Sequence, residues 1–262
     1  MSGAPGGLLE RLLTEARAEV EARKEAAPLH RLERLVTALP PCRDLAGALR
    51  RDRLTVIAEM KARTPVMGSL SSDYVPGRLA AVYSAAGAAA LSVLCQATSF
   101  GGRPEHLSEA RGVTDLPILR KDFVVDEYQI FEARAYGADA ILLIVAAASA
   151  ERLRELLGVV RRIGMEALVE VRDEEEMEVA VGAGAGVVGV NHRDLRTFEV
   201  DLGLSGRLRP LLGADAVFVA ESGVHSAEDA RQLRGVGVDA ILVGEALMRA
   251  PDPAAKLREL AV

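Results

Sequence analysis

Short apolar runs alternate with amphipathic stretches along most of the chain, and residues 117–144 show one repeat of this pattern. An apolar run ends at Arg120, a helical pattern covers residues 126–136, a turn follows at Gly137 and a second apolar run begins at Ala140. A short apolar run is typical of a buried strand, whereas apolar residues spaced three and four apart predict a helix. This stretch is therefore predicted to form a strand, a helix and a second strand.

The same alternation runs from Leu54 to the C-terminus and predicts eight strands and eight helices. The predicted strands are residues 55–59, 90–94, 118–120, 140–144, 167–170, 187–190, 217–220 and 240–243. The predicted helices are residues 77–86, 104–111, 126–136, 150–163, 174–183, 202–211, 227–233 and 253–260. Such helical connections indicate parallel strands with right-handed crossovers. Because no Gly-x-Gly-x-x-Gly follows the first strand, we predict an α/β fold of the closed (β/α)8 TIM-barrel type, formed by residues 54–262.

An N-terminal helical extension over residues 1–50 precedes the first strand. Apolar residues at helical spacing predict a helix over residues 8–26, and a second, shorter helix over residues 29–37 stops before Pro40 and Pro41. Residues 44–50 suit a third helical turn. We expect this extension to cap one end of the barrel, so that residues 1–262 form a single domain.

Composition narrows the classes of function. The net charge of −6, the absence of a basic stripe and an aromatic content of 3% make nucleic acid an unsuitable partner. The longest uncharged apolar stretch, residues 140–150, is shorter than the roughly 20 residues that a membrane span needs. The two cysteines, Cys42 and Cys95, have neither metal-ligand spacing nor a disulfide framework, and residues 1–7 do not resemble a signal peptide. We therefore expect a cytoplasmic protein with no membrane partner.

Polar residues stand at the ends of five predicted strands. In a TIM barrel the carboxyl ends of the strands form the active face. Any one of these residues suits a surface charge or a simple ion pair, but their convergence on one mouth predicts a site, because Lys, Glu and Arg are rarely buried without a partner. Mixed lysines and glutamates also adjust proton donors and acceptors toward neutral pH. The residues are Glu59 and Lys61, Lys121, Glu170, Asn191 and Arg193, and Glu221 and Ser222.

Glycines follow the last two predicted strands, each before a helix. Gly223 comes after strand seven and Gly244 after strand eight. One such glycine is explained by a tight turn, but this pair occupies the place where barrels commonly bind phosphate on backbone N–H groups. We find no metal cluster, no catalytic Ser/His/Asp set and no cofactor motif, and we expect His192 and His225 to be surface loop residues.

Four segments in order resemble the indole-3-glycerol phosphate synthase family of tryptophan biosynthesis. They are AEMK at 58–61, PILRKDF at 117–123, VNHRDL at 190–195 and AESG at 220–223. The resemblance covers nearly the whole chain, including the helical extension. It implies a cofactor-free lyase that converts 1-(2-carboxyphenylamino)-1-deoxyribulose 5-phosphate into indole-3-glycerol phosphate with loss of carbon dioxide and water. It also fits a monomer or a weak homo-oligomer.

The resemblance implies catalytic roles for five residues. Lys121 looks like the general acid that protonates the substrate carbonyl, and Lys61 like a group that holds the substrate carboxylate or phosphate and shares in proton transfer. Glu170 resembles the carboxylate that assists dehydration, with Glu59 and Asn191 orienting substrate and lysines. The remaining matches imply substrate binding: polar groups and phosphate by Arg193, Glu221, Ser222, Gly223 and Gly244, and the anthranilate ring by Phe100, Phe123 and Leu195.

Two departures from the family pattern leave alternatives open. Val66 lies where the family usually has a serine of a Ser-Pro-Ser segment, and Gln96 lies where it usually has a glutamate, whose loss is expected to weaken the positioning of a catalytic lysine. A specialised or catalytically impaired paralogue that binds a related phosphorylated ligand is therefore the alternative. A phosphoribosylanthranilate isomerase would need an Asp/Cys pair, and Cys95 lacks the matching aspartate at the end of strand seven.

Overall fold

The computed structural model describes residues 7–64, 68–70, 73–194 and 196–262. Eight parallel strands close into a barrel in which each strand pairs with its neighbours in the sequence and the last pairs with the first. This confirms the predicted (β/α)8 barrel. The strands are β1 Thr55–Met60, β2 Ala90–Leu94, β3 Ile118–Lys121, β4 Ala140–Ile144, β5 Glu166–Val171, β6 Val187–Asn191, β7 Val217–Glu221 and β8 Ala240–Val243.

Helices precede the barrel and follow each of its strands. Those of the extension are α1 Leu8–Ala26, α2 Leu29–Thr37 and α3 Leu45–Leu49. The others are α4 Pro76–Ala86, α5 Ala97–Phe100, α6 Glu105–Arg111, α7 Tyr128–Ala135, α8 Ala150–Arg162, α9 Glu174–Gly182, α10 Leu204–Leu208, α11 Ala227–Gly235, α12 Glu245–Met248 and α13 Pro253–Leu260. A two-residue antiparallel pair, Arg63–Thr64 with Gly68–Ser69, lies after β1. None of the helices in the described ranges is both long and apolar enough to cross a bilayer.

Several strands extend further at their carboxyl ends than the apolar pattern predicts. The ladder continues through Lys121 in β3, Asn191 in β6 and Glu221 in β7. Polar residues ended the predicted strands, but Lys121 and Glu221 form an ion pair and Asn191 forms hydrogen bonds inside the mouth, so the backbone pairing is not interrupted there. One predicted helix is also divided: residues 202–211 form α10 and then a 3-10 turn at Arg209–Leu211. Pro210 has no N–H to donate within an α-helix.

Two layers of core hold the barrel. Outward-facing strand residues pack against the surrounding helices, with Val56, Ala58 and Met60 as the contribution of β1. Inward-facing residues such as Ile57 and Leu119 fill the barrel itself. Successive side chains of a strand point to opposite faces, so each strand supplies both layers.

The extension covers both ends of the barrel, not one end as the sequence predicts. Leu12 in α1 lines the cavity at the carboxyl ends of the strands. At the opposite end, Ala46 N in α3 donates a hydrogen bond of 3.1 Å to Glu166 Oε2 at the start of β5. Leu49 of α3 is fully buried among the first inward residues of the strands. The long helix α1 lies at the mouth, and α2 leads the chain to α3 at the opposite end, an arrangement that helix prediction alone does not show.

Candidate active site

The period of two along each strand brings the polar residues into the barrel. Ile57 and Leu119 point into the interior, so Glu59 and Lys121, two positions further along, point the same way. The same spacing takes Glu170 to the mouth from Leu168, which is also part of the inner core. These polar positions are the last inward residues of their strands, above an apolar interior. The charged layer is therefore held at the mouth by the strand geometry itself.

The ammonium group of Lys121 lies between two carboxylates. Its Nζ is 2.9 Å from Glu170 Oε2 and 2.6 Å from Glu221 Oε2. The side chain of Lys121 is 13% exposed and those of the two glutamates are more deeply buried. Burial by itself lowers the pKa of Lys121, but the nearby charges of Glu170, Glu221 and Glu59 outweigh it and raise that pKa above its ordinary value. Lys121 is therefore a charged proton donor at neutral pH.

Glu221 has the most unusual environment of the carboxyl groups around Lys121. Burial, strengthened by the charge of Glu170, raises its pKa to about 7 even though Lys121 pulls in the opposite direction. Its Oε1 is buried and has no hydrogen-bond partner among the described residues. The missing side chain of Gly189 on β6 leaves the space that this oxygen occupies, since a Cβ there would overlap it. Glu221 thus exchanges a proton near neutrality beside the lysine.

A second ion pair joins β1 to the loop after it. Lys61 Nζ lies 2.6 Å from Glu59 Oε1. Burial raises the pKa of Glu59, but the charges of Lys61 and Lys121 outweigh it and leave the pKa below its usual value, so this carboxylate stays ionised. Gly244, at the start of α12, faces the pair, and a Cβ there would overlap Glu59 Oε1 and lie 3.0 Å from Lys61 Nζ. Two cationic groups, Lys61 and Lys121, therefore point into one cavity.

Asn191 connects the carboxylates to the turn after β7. Its Nδ2 donates to Glu170 Oε1 at 3.3 Å, and its Oδ1 accepts from Ser222 Oγ at 2.9 Å and from Arg193 N at 3.1 Å. Ser222 and Gly223 both have left-handed backbone, with φ of 67° and 81°. The left-handed region costs a non-glycine residue about 1–2 kcal/mol. The Ser222 side-chain bond to Asn191 helps to hold this turn toward the cavity.

The turn after β7 has a second support, which sequence reasoning missed. His192 is 3% exposed, so its prediction as a surface loop residue is wrong, whereas His225 is exposed as predicted. His192 Nδ1 lies 3.1 Å from the carbonyl oxygen of Ser222, and Nε2 lies 2.8 Å from Ser205 Oγ. A carbonyl only accepts, so Nδ1 carries the proton and donates it. Burial lowers the pKa of His192, which keeps the ring neutral.

An apolar wall faces the charged groups. The rings of Phe100 and Phe123 lie 6.3 Å apart, tilted by 33°. Leu8 and Leu12 of α1 complete this side of the cavity, together with residues of β4. This role of α1 was not predicted, although its i, i+4 leucines show a buried stripe. The β4 residues are Leu142 and Ile144, whose apolar strand end gave no signal of a site.

The structure brings together nearly all the predicted site residues. One cavity is lined by Glu59, Lys61, Phe100, Lys121, Phe123, Glu170, Asn191, Arg193, Glu221, Ser222, Gly223 and Gly244. Leu195 and Val66 lie outside the described residues. Arg193 is at the rim, where Nη1 donates to the carbonyl oxygen of Phe198 at 3.3 Å and Nη2 lies 4.0 Å from Glu245 Oε2. In the described part of the chain no three His, Cys, Asp or Glu residues are grouped as metal ligands.

Comparisons with known proteins agree on one family. The family model described as indole-3-glycerol phosphate synthase matches residues 9–260. The chain is 55% identical over 254 residues to indole-3-glycerol phosphate synthase 2 of Streptomyces coelicolor, covering 97% of this chain and 98% of that one. It is 46% identical over 257 residues to the indole-3-glycerol phosphate synthase of Dehalococcoides mccartyi, covering 97% and 99%.

Two solved structures share the fold at low sequence identity. Thiamine phosphate pyrophosphorylase from Pyrococcus furiosus matches with a TM-score of 0.60 at 19% identity, over 79% of this chain and 93% of that chain. The N-acetylmannosamine-6-phosphate 2-epimerase from Clostridium perfringens matches with a TM-score of 0.62 at 17% identity, over 80% and 93%. At such identities the likeness supports the barrel architecture alone.

Proposed function

This chain belongs to the indole-3-glycerol phosphate synthase family, and we propose how its cavity residues divide the work of that reaction. Its activity is that of a decarboxylating lyase of tryptophan biosynthesis. It converts 1-(2-carboxyphenylamino)-1-deoxyribulose 5-phosphate into indole-3-glycerol phosphate, carbon dioxide and water. The observation that carries the proposal is the ammonium of Lys121, held 2.9 Å from Glu170 and 2.6 Å from Glu221 beside an apolar wall.

Lys121 is proposed as the general acid of ring closure. The ring carbon that bears the carboxylate attacks the substrate carbonyl, and Lys121 gives its proton to the carbonyl oxygen, which becomes a hydroxyl. Loss of carbon dioxide then returns an electron pair to the ring and restores its aromaticity. An acid fixed in a cavity of low polarity stabilises the charge that develops on the oxygen. The neighbouring carboxylates keep Lys121 protonated until substrate arrives.

Glu170 is proposed as the base of the dehydration that follows. The new hydroxyl leaves as water with a proton from Lys61, while Glu170 accepts a proton from the adjacent methylene carbon. The 2.9 Å contact between Glu170 and Lys121 then returns that proton to the neutral lysine. Over the whole cycle one proton is taken up from solvent, because the substrate carboxylate leaves as neutral carbon dioxide. The carbon–carbon bond changes occur within the substrate and the side chains contribute only proton transfers, so we propose no cofactor.

The remaining cavity residues are proposed to bind and orient the substrate. Glu59 and Asn191 fix the positions of Lys61 and Glu170 through the contacts described above. Free backbone N–H groups in a turn and at a helix start suit a phosphate dianion. We assign the phosphate to Ser222, Gly223 and Gly244, other polar groups to Arg193 and Glu221, and the anthranilate ring to Phe100 and Phe123.

We further propose a single domain that acts in the cytoplasm as a monomer or weak homo-oligomer. The burial of Leu45 and Leu49 of the extension within the inner core supports the single domain. Cys42 and Cys95 are both free thiols, which suits a reducing compartment.

Conversion of the carboxyphenylamino-deoxyribulose phosphate by purified protein, followed by indole fluorescence, tests the proposal. We expect turnover by the parent and a loss of at least about 100-fold in kcat for Lys121→Ala, since general acid catalysis contributes about 10²–10⁴-fold. Arg154→Ala, which removes an exposed cation of α8, is the matched control and should retain activity. Binding of the substrate without turnover by the parent would instead favour the catalytically impaired paralogue.

A further inference from the structure

Gln96, at the end of β2, makes hydrogen bonds from both ends of its buried amide. Its Oε1 accepts from Ser99 N at 2.8 Å and Phe100 N at 3.2 Å. Its Nε2 donates to Glu15 Oε2 at 3.0 Å and to Glu19 Oε1 at 3.3 Å. The orientation of the amide is settled by its partners, because two N–H donors face one end and two carboxylates face the other. Gln96 is fully buried.

The partners of Gln96 belong to two parts of the apolar wall. Glu15 and Glu19 lie on α1, whose Leu8 and Leu12 line the cavity. The N–H groups that Gln96 binds belong to Ser99 and Phe100, and the ring of Phe100 also lines the cavity. Four further bonds join the same elements: Ser99 Oγ donates to Glu15 Oε2 at 2.8 Å, and Glu19 accepts from Ala97 N, Thr98 N and Thr98 Oγ1 at 2.8–3.4 Å. Among the described residues no hydrogen bond of Gln96 reaches a lysine. The amide therefore ties α1 to the segment that carries Phe100.

A glutamate at this position would meet an excess of negative charge. Glu19 lies 3.6 Å from Arg23, and Arg23 lies 2.9 Å from Glu132, which also pairs with Arg120. Arg120 in turn pairs with Asp122 at 2.7 Å. Carboxylates therefore outnumber guanidinium groups in this chain of contacts even when Arg11, 3.8 Å from Glu15 at the surface, is included. The carboxylates are Glu15, Glu19, Glu132 and Asp122, and the guanidinium groups are Arg11, Arg23 and Arg120.

We propose that Gln96 is a positioning residue that joins α1 to the Phe100 segment and so fixes the apolar wall against which the substrate ring binds. The proposal deepens the proposed function and rests on it, because it concerns the ring subsite of the same cavity. The amide is required by the acidic pair Glu15 and Glu19 of this chain. The glutamate usual in the family would here weaken the contact between α1 and the Phe100 segment, which is the opposite of the expectation from the family pattern that its absence weakens the site.

Gln96→Glu tests the tie directly. The new carboxylate can still accept from the Ser99 and Phe100 N–H groups, but its second oxygen would face two carboxylates. We expect KM to rise roughly tenfold, with a smaller change in kcat, because residues in contact typically couple by amounts of this order. We also expect Tm to fall by about 3–6 °C. A carboxylate that restores lysine positioning would do the opposite and raise kcat.

The swapped pair Gln96→Glu with Glu15→Gln is the rescue experiment. The amide then stands on α1 and the carboxylate on β2, so the hydrogen bond is kept and one negative charge is removed. We expect this double variant to recover most of the lost Tm and to return KM to within about threefold of the parent value. Gln96→Glu with Glu21→Gln is the matched control, because it removes a carboxylate from the exposed side of the same helix. The control should not recover either quantity.

Tm and KM together distinguish a failure of the role proposed for Gln96 from a failure of the proposed function. If the parent does not convert the substrate, the proposed function fails, and recovery of Tm in the swapped pair still decides whether Gln96 and α1 are tied. Recovery of Tm with an unchanged KM in Gln96→Glu would overturn the positioning role. A Gln96→Glu protein as stable and as active as the parent would overturn the tie itself.

Discussion

Glu221 is a buried carboxyl group whose charge changes near neutral pH. Its pKa rises from the ordinary 4.5 to about 7 because burial penalises the charged form. The folded chain therefore holds a proton that the unfolded chain has lost in this window, and stability falls as the pH rises from about 4.5 to 7. Above pH 7 the carboxylate of Glu221 is charged although it is buried and its Oε1 has no hydrogen-bond partner among the described residues, and this lowers the stability of the fold.

Glu221→Gln should relieve this cost. We expect the variant to match the parent in unfolding free energy near pH 5 and to exceed it by on the order of 1–3 kcal/mol at pH 8. Urea unfolding at the two pH values measures the difference, and Glu228→Gln, at an exposed carboxyl group of α11, should give none. A variant less stable than the parent at pH 8 would show that the charge of Glu221 stabilises the fold.

At the scale of single residues, sequence reasoning found groups whose type is unusual for a strand end. Lys121, Glu170 and Glu221 stand out because charge interrupts an apolar run. His192 did not, since its burial depends on Ser205 and Ser222, which approach only when the barrel closes. The contacts of the Gln96 amide nitrogen could not be predicted either, because the carboxylates that it binds lie on α1, far away in the sequence.

At the scale of elements, the alternation along a strand explains most of what could be predicted. It brings polar strand ends to one mouth without any knowledge of tertiary contacts. The same alternation conceals Leu142 and Ile144, because an apolar residue at a cavity and one in the core give the same pattern. Close approaches between elements are likewise hidden, and Gly244 is an example: its lack of a side chain lets α12 begin against the pair formed by Glu59 and Lys61.

Gly244→Ala should displace that ion pair. Its Cβ would overlap Glu59 Oε1, and we expect kcat/KM to fall by roughly 10- to 100-fold, because misplacement of catalytic groups by about 1 Å costs this much. Steady-state kinetics measures the loss. Gly158→Ala is the matched control: Gly158 lies within α8 with open space around its Cβ position, so activity should hold and stability should rise by about 0.5–1 kcal/mol. Equal kinetics for the two variants would contradict the steric argument.

At the scale of the whole molecule, the two ends of the barrel have different tasks, and the extension contributes to both. Glu15, Glu19 and the leucines of α1 serve the mouth. At the opposite end α3 closes the interior, where Thr55 Oγ1 donates to the carbonyl oxygen of Leu49 at 3.1 Å. Barrels generally keep catalysis at the carboxyl ends of the strands and stability at the other end. The extension therefore contributes both to the apolar wall at the mouth and to the packing of the opposite end.

Leu12→Ala and Leu49→Ala compare the two ends by the same chemical change. Both side chains are buried, at 1% and 0% exposure, and both belong to the inner core. Each should lose about 2–5 kcal/mol of unfolding free energy by leaving a cavity. Of the two, only Leu12 lines the cavity at the mouth that is proposed to bind substrate, so only its replacement should also raise KM, by roughly 3- to 10-fold. Unfolding curves give the loss of stability of each variant, and steady-state kinetics gives its KM. A comparable rise in KM for Leu49→Ala would contradict this expectation and would mean that packing at the closed end affects the geometry of the cavity at the mouth.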